Sequence, residues 1–317
     1  MTHDTTRSTG ATLELPQRRG INAALRTSVG NHRVAAFFCF AYLYSWLFWA
    51  PAALGYDGTA GQVAIFVGVW GPAAAGLTVT WLLGRSVSDW LRGMFNWRVQ
   101  RRWYAFALLV PVAIVAAVSL AFVALGEDLD RSLLGERLAV YVPMLIFLTL
   151  LGGGNEEWGW RGFALPELLQ RHRPVAATLI LGSLWAVWHL PLLAAQEDLS
   201  HGLGGVELTV VLAATVVNII ALAFIYTYLY QRTRSALLAV LLHGSFNTAN
   251  GTLVLRDEIE GNAYATMQYC ITVTTLLVAA YLVWTTRGQL GAGPESDAAS
   301  STTDQHRSAG GSHPVNA

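Results

Sequence analysis

Eight stretches of this 317-residue chain are apolar over a length that crosses a bilayer, at approximately 34–56, 62–83, 103–125, 137–153, 175–195, 207–230, 235–253 and 265–286. A transmembrane helix needs roughly 17 to 25 predominantly apolar residues. In lipid only helices and closed barrels pair all of their backbone polar groups. Hydrophobic residues make up 54% of the chain and charged residues 13%, with a mean hydropathy of +0.42, which excludes a soluble domain built on one core. The expected fold is therefore all-α: a polytopic membrane helical bundle of about eight transmembrane helices. The fourth and seventh stretches are the weakest, because one runs into Gly152, Gly153 and Gly154 and the other carries His243, Ser245, Asn247 and Asn250.

The 20 basic residues are all Arg, and they alternate along the chain. The N-terminal tail, the second, fourth and sixth connections and the C-terminal tail hold seventeen of them; the other connections hold only Arg131, Arg137 and Arg256. Positive residues favour the cytoplasmic side, so both termini are expected in the cytoplasm of a cell-membrane protein. An even number of spans follows, since one missed helix would scramble the alternation. Formal net charge is zero, which argues against nucleic acid as a partner and leaves membrane lipid as the surrounding phase. Cys39 and Cys270 both fall in apolar stretches, too few for a disulfide framework or a four-cysteine metal site.

Residues 1–30 and 288–317 are rich in Thr, Ser, Gly, Asp and Arg and read as disordered tails flanking one membrane domain, 31–287. The N-terminal tail has no signal-peptide apolar core, so the first span is expected to act as an uncleaved anchor. The abundance of Arg, Ala, Gly and Val without Lys points to a GC-rich prokaryotic gene.

Three polar groups interrupt the apolar half of the chain: Glu156 and Glu157 with Arg161, then His189, then His243 with Asn247. Each ionisable group costs several kcal/mol in lipid unless it faces protein or water. On a helix Glu157 and Arg161 pair at i, i+4, whereas Glu156 points about 100° away and is left for another task. His243 and Asn247 share one helical face at the same spacing. Blander readings exist for each. The first group suits an interfacial helix with Trp158 and Trp160 in an aromatic belt, His189 a packing residue, and His243–Asn247 interhelical hydrogen bonding.

Taken together, the groups suit hydrolysis by an activated water. A carboxylate and a His hold and deprotonate the water, and a second His and an amide donate to the developing oxyanion. Glu156, His189 and His243 are also donors that suit a divalent metal such as zinc, if the chemistry is metal-dependent. The sequence has no H-E-x-x-H and no G-x-S-x-G, and nothing separates Ser245 from a small packing residue.

At these residues the chain resembles the CPBP intramembrane proteases, which include the type II CAAX prenyl endopeptidases and bacteriocin-processing or immunity proteins. Their pattern of E-E-x-x-x-R, F-x-x-x-H and H-x-x-x-N in successive segments is met by Glu156-Glu157 to Arg161, Trp185 to His189 and His243 to Asn247. Trp185 stands where Phe is usual. As one aromatic for another it should leave the catalytic groups untouched, with Trp185→Phe nearly silent. Residues 71–77 and 97–103 also look like the family's N-terminal half.

The resemblance implies an all-helical membrane bundle enclosing a catalytic cavity and proteolysis as its activity, with Glu156 and His189 activating water, His243 and Asn247 stabilising the oxyanion, and Glu157 and Arg161 in support. The implied substrate is a small membrane-associated peptide or a lipidated (CAAX-type) protein, cut near its C-terminus or membrane anchor. A noncatalytic immunity or scaffold protein, and a proton-coupled transporter relaying through His and Glu, are the alternative classes.

Overall fold

The computed structural model describes residues 16–54, 58–195, 203–254 and 261–292, and among them every regular element is helical. In chain order these are α1 (Pro16–Asn31), α2 (Arg33–Ala53), α3 (Thr59–Gly68), α4 (Gly71–Leu82), α5 (Val87–Met94), α6 (Arg101–Ala124) and α7 (Leu134–Leu150). Four short pieces follow: a 3₁₀ turn Gly154–Glu156, the single turn α8 (Glu157–Gly159), a π-turn Trp160–Ala164 and α9 (Leu165–Leu169). Then come α10 (Pro174–Trp188), α11 (Leu190–Ala195), α12 (Gly205–Thr233), α13 (Ala236–Thr252) and α14 (Gly261–Thr285).

The eight expected apolar stretches all contain helix, but they are not eight full spans. Among the described residues five helical runs are long and apolar enough to cross a membrane, and six if α3 and α4, bent by 42°, act as one. The physical reason lies in the two short members. At 15 residues α10 is about 22 Å long, short of a hydrocarbon core of about 30 Å, and it stops where Trp188 gives way to His189. At 17 residues α13 is little longer, and it carries the polar run from His243 to Asn250. The helix that ends at His189 and the one that carries His243 and Asn247 are thus both short.

Local sequence sets the ends. Pro72 and Pro174 lie in the first turns of α4 and α10, where the missing N–H is no loss. The turn between α12 and α13 is made by Arg234 in the left-handed region (φ 50°), followed by Ser235, whose hydroxyl accepts from Leu238 N at 3.2 Å as an N-cap. The core is formed where α13 packs on α6, α7 and α12, α12 on α10 and α14, and α2 on α3 and α4. At Gly159 the backbone of α8 lies so close to α4 that a Cβ would strike the Pro72 carbonyl. Small residues permit this kind of approach between membrane helices.

One end of the bundle is tied together by the connections in which Arg is concentrated. Glu167, buried at the end of α9, pairs with Arg33 from the start of α2 and with Arg85 Nη1 at 2.6 Å from the α4–α5 connection. Asn96 Nδ2 donates to Thr233 O at 2.9 Å, and Gln231 Nε2 to Gln289 O at 3.0 Å. The N-terminal, second, fourth, sixth and C-terminal connections thus share one end, as the alternation of Arg requires.

The ordered chain runs further out than the expected boundaries at 30 and 288. The helix α1 occupies part of the expected N-terminal tail, anchored by the buried Val29, and Leu290 is fully buried against the bundle. Residues 1–15 and 293–317 of the two expected tails lie outside the described residues.

Candidate active site

The first polar group lies where the helix geometry changes repeatedly. After α7 the chain passes through Gly153, whose φ of 117° is accessible to Gly at little cost, and enters the 3₁₀ turn that delivers Glu156. The π-turn from Trp160 to Ala164 follows; such turns recur at functional sites because they re-aim side chains.

The i, i+4 pair is formed as its spacing predicts. Arg161 Nη1 lies 2.8 Å from both Glu157 oxygens, and both side chains are sealed from solvent. The guanidinium carbon sits 4.3 Å from the Tyr226 ring centroid and 4.8 Å from that of Trp185, so π-faces cover much of the cation. Glu157 Oε1 also meets His243 Nδ1 at 3.0 Å, joining the first and third polar groups through one buried carboxylate.

Glu156 points elsewhere, as expected, but it is less free than spacing implies. Its Oε2 accepts from Trp160 Nε1 at 3.1 Å and Trp185 Nε1 at 2.9 Å, while its Oε1 has no hydrogen-bond partner among the described residues. Trp160 is fully buried against Phe37, Phe38 and Trp188, which rules out an interfacial belt for this residue.

The finding at Trp185 corrects the reading that Trp for Phe leaves the catalytic groups untouched. The indole N–H, absent from Phe, is one of two donors on the Glu156 carboxylate. Hydrogen bonds to charged groups contribute about 1.5–3 kcal/mol. If that energy holds Glu156 in its working position, Trp185→Phe lowers kcat/KM by roughly one to two orders of magnitude rather than being silent. Steady-state peptide cleavage by the two proteins measures this.

His189 follows the last residue of α10, with Nδ1 2.9 Å from Trp185 O and its ring edge-on to Trp188 at 4.8 Å. Because a carbonyl only accepts, Nδ1 carries the proton and Nε2 keeps its lone pair. Glu156 and His243 are its charged and titratable neighbours. His243, on α13, packs edge-on to Trp185 and Tyr226, both at 5.7 Å. One turn on, Asn247 Nδ2 donates to Gly152 O at 3.2 Å. A Cβ placed on Gly153 would lie 2.5 Å from Asn247 Nδ2 and 3.0 Å from His243 Nε2. The glycine backbone is therefore threaded directly against the two groups.

The three polar groups, about 90 residues apart in sequence, thus meet in one place. Trp185, Trp160, Tyr226 and the Gly152–Gly153 backbone belong to the cluster and are not apparent from motif spacing alone. Trp160 stands four residues after Glu156, an i, i+4 signal that was readable. Tyr226 is an aromatic within an apolar run and gives no such signal. Glu156, His189 and His243 offer donor atoms that suit zinc, yet among the described residues no set of three or more His, Cys, Asp or Glu side chains is arranged to hold a metal ion. The cluster does not line the cavity of about 510 Å³ found between α2, α9 and α10.

A family model described as type II CAAX prenyl endopeptidase Rce1-like matches residues 138–249, a stretch containing every member of the three groups. A CAAX prenyl protease 2 from Methanococcus maripaludis is 23% identical over 234 residues, which cover 70% of this chain and 85% of that protein. By both comparisons the chain is similar to the CAAX prenyl proteases. The family match spans most of α7 through most of α13, the part of the bundle that builds the cluster.

Proposed function

We propose that the chain is an intramembrane endopeptidase that hydrolyses a peptide bond near the C-terminus or membrane anchor of a small membrane-associated or prenylated substrate. The observation that carries this reading is the convergence of Glu156, His189, His243 and Asn247, each held by a named partner and drawn from three separate segments. Glu156 Oε1 and the His189 Nε2 lone pair take up and deprotonate a water. The indoles on Oε2 fix the direction of the carboxylate. Attack on the scissile carbonyl places negative charge on its oxygen, next to Asn247 Nδ2 and His243 Nε2.

The partner of His243 adds a requirement. With Nδ1 donating to Glu157, neutral His243 presents a lone pair at Nε2, so it donates to an oxyanion only as the imidazolium. Glu157 sits where it stabilises that cation, and Arg161 holds Glu157 in place. The buried pair then orients the second His.

The reading places the site in the cell membrane with both termini in the cytoplasm, so that the substrate is a cytoplasmic peptide tail. In its support, the Glu156 segment continues through α9 into the Arg-rich end tied by Arg33, Glu167 and Arg85. Mutants grade the roles. His189→Ala is expected to remove detectable cleavage, whereas Asn247→Ala, which deletes one oxyanion donor and leaves the other, keeps activity reduced by about 10²- to 10³-fold. Quantifying product from one peptide by mass spectrometry for both variants checks the order. Equal residual rates would contradict the division of labour.

A further inference from the structure

A preformed cavity of about 510 Å³ lies between α2, α9 and α10, away from the cluster and unused by the reaction described above. Its size falls in the range of about 300–1,000 Å³ typical of small-molecule sites. The wall is apolar, made by Phe38, Cys39, Leu168, Ile180 and Leu184. The mouth is not: His32 from the start of α2, and Arg171 and His172 from the α9–α10 connection, are exposed there, and no acidic side chain lines the cavity. Glu167, the carboxylate at the end of α9, is already taken by Arg33 and Arg85. The Arg33 pair, with Arg33 Nη2 on Gln170 at 3.1 Å, fastens α2 to α9, and the Arg85 pair ties α9 to the α4–α5 connection.

The opening faces sideways as well as towards the loops. Ala35 and Cys39 stand one turn apart on α2, line the cavity and are exposed on the side of the bundle. An occupant with an apolar chain can therefore enter from the bilayer while its polar end stays with the cations. The cavity is at the end where Arg is concentrated, the end that anionic headgroups attract.

We propose that this cavity binds an anionic phospholipid, its acyl chain against Phe38, Leu168 and Leu184 and its phosphate at Arg171 and His172. The charge of the mouth selects the headgroup, and the apolar wall requires a chain. A free phosphate satisfies only the first condition and a neutral prenyl or acyl chain only the second. The site does not depend on the proteolytic reading.

Cys39 supplies a reporter inside the groove, while Cys270 is buried on α14. The experiment uses the full chain with Cys270→Ala, labelled at Cys39 with bimane and placed in phosphatidylcholine nanodiscs. Doxyl-phosphatidylglycerol or doxyl-phosphatidylcholine is added at equal mole fraction. Quenching by the anionic lipid is expected to exceed that by the zwitterionic lipid several-fold. Arg171→Gln should bring the two together, and Arg131→Gln, in a connection on the other side, should not. Inorganic phosphate at matched ionic strength is expected to leave the difference intact.

Equal quenching by the two lipids in the parent protein would overturn the proposal. Relief of quenching by inorganic phosphate alone would overturn it in favour of a free-anion site. Equal quenching that a neutral farnesylated peptide relieves would instead make the groove a chain site for substrate. Should labelling disturb the groove, native mass spectrometry of the unlabelled protein gives the same comparison. Retained phosphatidylglycerol that Arg171→Gln loses supports the site, and retention insensitive to Arg171→Gln contradicts it.

Discussion

Glu156→Gln is expected to reduce turnover by about 10²- to 10⁴-fold, the usual contribution of a positioned general base, while leaving the fold intact. The substitution is nearly isosteric. Its amide oxygen still accepts from Trp160 and Trp185, so the indoles that hold the side chain keep a partner. What is lost is the charge and the basic oxygen facing away from them. Comparing kcat at saturating substrate with the thermal midpoint in detergent separates chemistry from folding. A large fall in kcat with a midpoint within a few degrees of wild type supports the assignment. Full activity in the variant would remove Glu156 from the mechanism.

Arg161→Ala is expected to have the largest effect on stability. The guanidinium is sealed from solvent, set through Nη1 on both Glu157 oxygens and enclosed by Trp185 and Tyr226. Removing it strands the Glu157 carboxylate in a low-dielectric interior, at a cost of about 3–5 kcal/mol, and opens a void between the two rings. At about 2–4 °C per kcal/mol for a chain of this size, the thermal midpoint should fall by roughly 10 °C. Arg161→Lys should recover only part of this, since a compact ammonium does not fill the space between the two rings as the planar group does. The double change Glu157→Ala with Arg161→Ala should be more stable than Arg161→Ala alone, because the stranded charge is gone, yet remain inactive because His243 has lost its partner. A double variant no more stable than the single one would contradict the account of this pair.

Much of the fold was legible because the bilayer leaves few alternatives. Each apolar stretch contains helix, and the alternation of Arg matches the clustering of connections at one end, where Arg33 and Arg85 meet Glu167. The count of full spans was not legible. A polar run such as His243 to Asn250 and a stop such as that at Trp188 shorten a helix without interrupting its apolar average. In the site, local spacing found what is local: Glu157 with Arg161 at i, i+4, and His243 and Asn247 on one face. The contact between Glu157 and His243 crosses 86 positions, and only the packing of α8 against α13 makes it. Trp185 was misjudged for a related reason, since its class as an aromatic was readable but the carboxylate its N–H reaches was not. The same limit applies to the break after α7. Three glycines signal a flexible connection, not that Gly153 will lie against His243 and Asn247.

The most direct test of the central claim is product analysis of a C-terminal peptide panel, farnesylated and unmodified, incubated with purified protein in detergent. Wild type and Glu156→Gln are run side by side, each with and without a chelator. The account predicts a single cut near the C-terminus in at least one peptide with wild type and none with Glu156→Gln; the chelator arm reports metal dependence. Cleavage that proceeds at the same rate and bond in Glu156→Gln would contradict the account, because the hydrolysis would then not rest on this carboxylate.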